Sequence, residues 1–163
     1  MIWLFERYCD LEGLFKMYEE IQKVAKNWKI QMEILSSEQV GYIKNSIYQK
    51  YTDGGTEGVL WGHLNDYSVL RDSYAWAIID EFVDWDYKDK EESLLFFNDE
   101  DDKNVFIIKN GRDLYKILSE TCENREFYLT NFNTNYLICF NRYGCLYGTG
   151  AAREWVGKQF KGV

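Results

Sequence analysis

Glu126-Phe127-Tyr128-Leu129-Thr130, then Tyr136-Leu137-Ile138-Cys139-Phe140, then Asn141-Arg142-Tyr143-Gly144-Cys145-Leu146-Tyr147-Gly148: along this stretch the chain abandons helical spacing for short apolar and aromatic runs bounded by Asn and Gly. Runs of that length and composition read as three strands, over 126–130, 136–140 and 145–148. Asn141-Arg142-Tyr143-Gly144 reads as the hairpin turn between the last two. Immediately upstream, 93–98 and 104–109 read as two more strands joined by Asp99-Glu100-Asp101-Asp102-Lys103. Asn110-Gly111 then leads into a helix over 112–121, with Leu114, Ile117 and Leu118 on one side. A short helix over 151–156 closes the chain.

The first half has the opposite character. Over 10–27, Leu11, Leu14, Phe15, Tyr18, Ile21, Val24 and Ala25 recur at helical spacing with charge on the other face, which predicts an amphipathic helix. Residues 28–34 alternate apolar and polar, the pattern of a strand half-buried on one face. Ser36 or Ser37 can cap a second helix with Val40, Ile43, Ile47 and Tyr51 as its stripe, and Asp53-Gly54-Gly55 ends it. Residues 56–70 are ambiguous, because Gly58 and Gly62 weaken a helix suggested by Leu60, Trp61 and Leu64. Ser73 can cap a helix through Trp85, with Trp76, Ile79, Phe82 and Val83 facing inward. Helices first and mostly antiparallel strands after predict an α+β domain, N-terminal helices packed on a sheet formed mainly by the C-terminal half. No repeat, low-complexity segment or linker divides residues 1–163, so a single domain is expected, and a chain of this length buries roughly 70% of its unfolded surface.

The net charge of −8 is concentrated in one place. Residues 80–102 hold 11 Asp or Glu against Lys88 and Lys90, whereas the rest of the chain is nearly neutral. Phe82, Trp85, Tyr87, Phe96 and Phe97 thread through the acid. A patch of one sign steers partners of the other, and aromatics beside charge are the material of binding hot spots. The candidate partner-binding residues are therefore Asp84, Trp85, Asp86 and Tyr87, at the expected end of a helix, and Asp99, Glu100, Asp101 and Asp102, in the expected hairpin turn. Acids at a helix C-terminus oppose the helix dipole, which favours a role beyond folding. The acidic balance also argues against nucleic acid or an anionic membrane as the main partner.

Chemistry finds little else to use. The acidic turn fails the EF-hand pattern, since Lys103 and Asn104 occupy the fifth and sixth positions counted from Asp99. The four cysteines show no C-x-x-C spacing and the chain has one histidine, so neither a metal site nor a cofactor is expected. Cys139 and Cys145 could face each other across a hairpin, but buried reduced thiols fit a cytosolic protein better. His63, with Asp66 three residues on, is the one general base with an ordinary pKa near neutrality, yet no nucleophile sits in a recognisable motif. Tyr147-Gly148-Thr149-Gly150-Ala151-Ala152-Arg153 lacks the third glycine of a dinucleotide loop and reads as a tight strand-to-helix turn capped by Thr149. No catalytic residues are assigned. The N-terminus lacks the features of a secretory signal and no apolar run approaches the roughly 20 residues of a membrane span, so a soluble, cytoplasmic protein is expected.

The runs 126–130, 136–144 and 146–150, an acid–aromatic strand, an apolar strand, a hairpin, a strand and Gly, resemble the C-terminal part of small acidic bacterial proteins of the immunity type, found in polymorphic or contact-dependent toxin systems. The resemblance covers about the last 90 residues, and residues 76–97 fit the same outline. It implies a monomer or weak homodimer that neutralises a cognate protein toxin with a basic surface, without catalytic residues of its own. The alternative expectation is a regulatory domain binding a small molecule in a Tyr/Trp-lined pocket.

Overall fold

A computed structural model describes residues 17–86, 92–121 and 126–159, with 85 and 86 by backbone alone. Helix α1 (Met17–Trp28) buries Ile21, Val24 and Ala25 of the expected stripe and Met17 in addition, while Tyr18 is half-buried; residues 10–16 of the expected helix lie outside the described ones. It ends in a Schellman arrangement. Lys29 turns left-handed (φ 53°), Ile30 N–H donates to Ala25 O at 2.8 Å and Lys29 N–H to Lys26 O at 3.5 Å. Trp28 therefore belongs to the helix and not to the strand expected over 28–34. Only β1 (Glu33–Ile34) remains of that strand, paired with 106 and 107. Trp28 is 48% exposed, its ring covered by the Lys116 ammonium at 3.7 Å.

Helix α2 (Ser37–Tyr51) opens on a capping box: Gln39 N–H donates to Ser36 Oγ (3.2 Å) and Ser36 N–H to Gln39 Oε1 (3.0 Å). Ile43 and Ile47 are buried and Val40 and Tyr51 half-buried, as expected. The ambiguous stretch resolves into a 3₁₀ turn (Leu60–His63) and strand β2 (Ser68–Arg71). The helix expected through Trp85 is broken into a 3₁₀ turn (Ala75–Ile78), a single α turn (Ile79–Glu81) and a π turn (Phe82–Asp86). Ser73 does not cap it; Asp72 Oδ1 accepts the Tyr74 N–H instead (2.8 Å). Phe82 and Val83, neighbours in sequence, are both buried, which one stripe of a regular helix does not provide.

The second half follows its pattern closely: β3 (Ser93–Phe96), β4 (Val105–Ile108), α3 (Gly111–Glu120), β5 (Phe127–Asn131), β6 (Tyr136–Phe140), β7 (Cys145–Gly150) and α4 (Ala152–Lys158). Asn110 Oδ1 caps α3 by accepting the Asp113 N–H at 2.9 Å. Gly144 takes the left-handed position (φ 73°) that the β6–β7 hairpin requires. Thr149 caps no helix. It lies in β7, where its hydroxyl donates to Leu137 O (3.0 Å) and accepts the Leu137 N–H (3.2 Å).

The strands form one seven-stranded sheet in the order β1-β4-β3-β5-β6-β7-β2, with every pairing antiparallel. The two N-terminal strands supply its edges and the C-terminal half its five central strands, so the α+β expectation holds. Both faces are covered, which is why β3 to β6 are buried at every position. Leu95, Phe106, Ile108, Leu129, Ile138 and Leu146 face α1, α3, α4 and the 75–86 segment. Leu94, Phe96, Val105, Ile107, Tyr128, Leu137 and Cys139 face α2 and the Leu60–His63 turn. No helix among the described residues is long and apolar enough to cross a membrane.

Candidate functional site

Antiparallel register gathers one set of polar residues at a single end of the sheet. Phe96 pairs with Tyr128 and Phe127 with Phe140. One or two residues beyond those pairs lie Asn98, Glu126 and the Asn141–Gly144 hairpin. Glu126, 2% exposed, is the hub. Its Oε1 accepts Trp61 Nε1–H at 3.0 Å, Arg142 Nε–H at 3.2 Å and Arg142 N–H at 3.4 Å, and its Oε2 accepts Asn98 Nδ2–H at 2.6 Å. Tyr128 OH in turn donates to Asn98 Oδ1 at 2.8 Å. A buried carboxylate with this many donors is a fastening point, because removing it strands the less exposed of them, Trp61 Nε1–H and Asn98 Nδ2–H.

Trp61 and Arg142, held from beneath in this way, belong to an aromatic row. Tyr143 meets Trp61 edge-on at 6.1 Å, Trp61 stacks on Tyr147 at 6.0 Å, and Tyr147 meets Tyr67 edge-on at 5.1 Å. The row starts half-buried over β7 and emerges at both ends, Tyr143 being 72% exposed and Tyr67 45%. Burial raises the Tyr147 hydroxyl's pKa above the ordinary tyrosine value. Beside the row, Arg142 and Tyr128 line a cleft of about 290 Å³ between α2 and the 98–101 turn, with Lys44, Tyr48, Phe96 and Val59 among its other walls. A second cleft, about 330 Å³, lies on the other side of Arg142 and Tyr143, walled by Tyr74, Trp76, Leu118 and Phe140.

Among the described residues, the acids of the 80–102 stretch do not form one surface. Asp84 is half-buried at the opposite end of the β3–β4 hairpin, where its Oδ1 accepts the Gly111 N–H (2.9 Å) and so caps α3. Four strand residues, on the order of 14 Å, separate that end from the 99–102 turn. Asp102 is 2% exposed: Oδ2 accepts the Tyr18 N–H in the first turn of α1, and Oδ1 accepts both Asn104 N–H and Nδ2–H, all at 2.8 Å. A side chain buried and bonded in this way offers nothing to a partner. Asp99 and Glu100 are exposed and Asp101 half-buried, at the mouth of the first cleft; Asp99 is paired with Lys44 (2.7 Å), whose ammonium also lies 5.7 Å from the Phe96 ring centre. The side chains of Trp85 and Asp86, and Tyr87 entirely, lie outside the described residues. Trp61, Tyr67, Arg142, Tyr143 and Tyr147 carried no site signal in the sequence. The one usable clue was Glu126, an acid opening an apolar strand directly across from Asn98.

His63 and Asp66 do not share a face. Asp66 adopts φ 52° and pairs with Arg153 (2.7 Å), whereas His63 meets Asp53 (Nδ1 to Oδ1, 3.2 Å) and the Glu57 carbonyl. Cys139 and Cys145 are free thiols, and burial pushes the Cys139 pKa well above its usual value. Among the described residues no group of three or more His, Cys, Asp or Glu is placed to hold a metal ion.

The chain belongs to a family of unknown function (DUF6756), whose pattern matches residues 15–159. Comparison with curated proteins and with solved structures gave no match.

Proposed function

We propose that this protein works by binding a partner protein, without catalysis of its own, through the end of the sheet that carries the Tyr143–Trp61–Tyr147–Tyr67 row. The observation that carries the reading is the anchoring of that row: Trp61 and Arg142 both rest on the buried Glu126 carboxylate, so the surface is rigid before a partner arrives. Tyr, Trp and Arg are the residue types in which interface energy concentrates, and preorganisation lowers the entropic cost of association. Glu100 rims the same end and suits a basic side chain on the partner. The placement is compatible with an immunity-type inhibitor of a basic toxin domain, now with the aromatic row as its centre and the acids reduced to its rim.

The test is co-expression with the product of the neighbouring upstream gene, followed by co-purification and rescue of cells from it. Tyr143→Ala is expected to weaken the complex by about 2 kcal/mol, roughly 30-fold in Kd. A wild-type protein that neither binds nor protects sinks the inhibitor reading; a complex indifferent to Tyr143→Ala and Tyr67→Ala removes the row as its interface. A second reading, a small-molecule site, draws support from the first cleft, close to the roughly 300 Å³ at which ligand pockets begin. A thermal-shift response to a metabolite that Tyr48→Ala abolishes would favour it.

A further inference from the structure

The 53–63 loop is closed at its neck, tied to the sheet by Trp61 Nε1–H on Glu126 (3.0 Å) and strapped across its middle by His63. Thr52 bridges Leu64, Asp53 N–H donates to His63 O (3.1 Å) and Asn65 N–H to Tyr51 O (2.8 Å). Beyond the neck the backbone bonds are local: Gly55 N–H donates to Asp53 Oδ1 (2.8 Å) and Gly62 N–H to Val59 O (3.1 Å). The His63 ring reaches across, with Nδ1 on the Asp53 carboxylate (3.2 Å) and Nε2 on the Glu57 carbonyl. Both partners are acceptors. Only an imidazolium, with a proton on each nitrogen, can donate to both; a neutral ring must turn a lone pair towards one of them.

We propose that His63 is a proton-operated clasp on this loop, closed when the ring is an imidazolium and opened when it loses its proton, and that it thereby sets the width of the adjoining cleft. The loop supplies Thr56, Gly58, Val59 and Leu60 to the wall of that cleft, opposite the 98–101 turn, and Trp61 to the aromatic row. The titratable groups facing the ring are the Asp53 and Glu57 carboxylates, both acidic and both favouring the charged form. The Glu57 carbonyl first, and the Asp53 carboxylate after it, hold the imidazole's pKa above its usual value. The clasp is independent of what the surface binds, since its geometry involves no partner.

The chain's single histidine makes the test direct. Two-dimensional NMR of the imidazole nitrogens should show both protonated at pH 6, with a midpoint above the ordinary value of about 6.5. Between the free-imidazole value of about 6.5 and that midpoint the hydrogen-exchange protection of the Gly55 and Gly62 amides should fall, by up to about tenfold per pH unit, and level off above the midpoint, while amides of β5 and β6 hold theirs. Asp53→Asn should lower the midpoint and loosen the loop at pH 6; His63→Gln should remove the pH dependence. A neutral ring at pH 6, or loop protection that does not change through the midpoint, overturns the clasp. The wild-type titration alone decides the matter if either variant folds poorly.

Discussion

Replacing Glu126 by Ala tests whether one buried carboxylate holds the functional end of the sheet together. The substitution removes the acceptor for Trp61 Nε1–H, Asn98 Nδ2–H and two Arg142 donors, and leaves a void in a site where the glutamate is 2% exposed. The loss comes from the void and from the donors left without an acceptor. The Arg142 side chain, 58% exposed, recovers water and adds little to that loss. Trp61 and Asn98 are less exposed, and an unmet buried donor costs about 1–3 kcal/mol. Taking about 4 kcal/mol for the sum, and about 2–4 °C per kcal/mol for a chain of this size, the melting temperature should fall by about 10 °C. Glu126→Gln keeps the acceptor shared by Trp61 and Arg142 but sets an NH₂ group against the Asn98 amide. Asn98 can flip, because the Tyr128 hydroxyl is able to accept as well as donate, so the cost should be about half as large. Urea melts monitored by circular dichroism and by Trp fluorescence measure both. A Glu126→Ala midpoint within 1 kcal/mol of wild type, or Gln costing as much as Ala, would refute the idea that the network fastens Trp61 and Arg142.

Asp102→Ala, which uncaps Tyr18 N–H and frees the Asn104 donors, should cost about 1–3 kcal/mol in a urea melt, whereas Glu100→Ala on the same turn should stay within about 0.5 kcal/mol. Gly148→Ala should destabilise by about 1–3 kcal/mol, because the added Cβ would stand 2.5 Å from Val156 Cγ2 and 2.6 Å from the Ala152 carbonyl, and a normal melt would mean that α4 can slide on β7. The raised His63 pKa is a contribution present in full below the unfolded-state value near 6.5 and lost as pH climbs through the folded midpoint; a pH series of melts should show that decline, and His63→Gln should flatten it.

The strands of the second half and the two hairpins that join them were legible because a strand buried on both faces reads as a short continuous apolar run: Leu94 to Phe97 and Val105 to Ile108 are apolar throughout and bounded by turn residues, whereas the order of the sheet was not legible. The helix ends were legible where the capping residue was local, as with Ser36 and Asn110. What escaped was set by contacts distant in sequence. Residues 28–32 alternate like a strand, but α1 closes on itself through Lys29 and Ile30 before a ladder can form. Residues 68–71 carry a short, weak pattern and become an edge strand only because β7 stands beside them. The 75–86 segment starts as a helix and then widens, with Asp84 drawn to the N-terminus of α3.

The same distinction separates charge density along the chain from charge on a surface. Residues 80–102 look like one acidic face because local counting ignores where each carboxylate's nearest donors are. In the fold, Asp84 and Asp102 are drawn inward by the unpaired N–H groups of two helix N-termini, where a carboxylate is favoured both as acceptor and as countercharge to the dipole. Glu92 pairs with Lys109 at 3.2 Å and Asp99 with Lys44 at 2.7 Å. Among the described residues of the 99–102 turn, Glu100 is the exposed acid that faces a partner, at the end of the sheet where Arg142 and Tyr143 already stand. Steering by charge therefore acts on that one rim, and the affinity must come from the rings. Reversing Glu100 to Lys should slow association and reduce its salt dependence while leaving dissociation nearly unchanged, whereas Tyr143→Ala should speed dissociation, a split that stopped-flow kinetics on any captured complex would resolve. If both substitutions acted on association alone, the rings would be no more than bystanders to the charge.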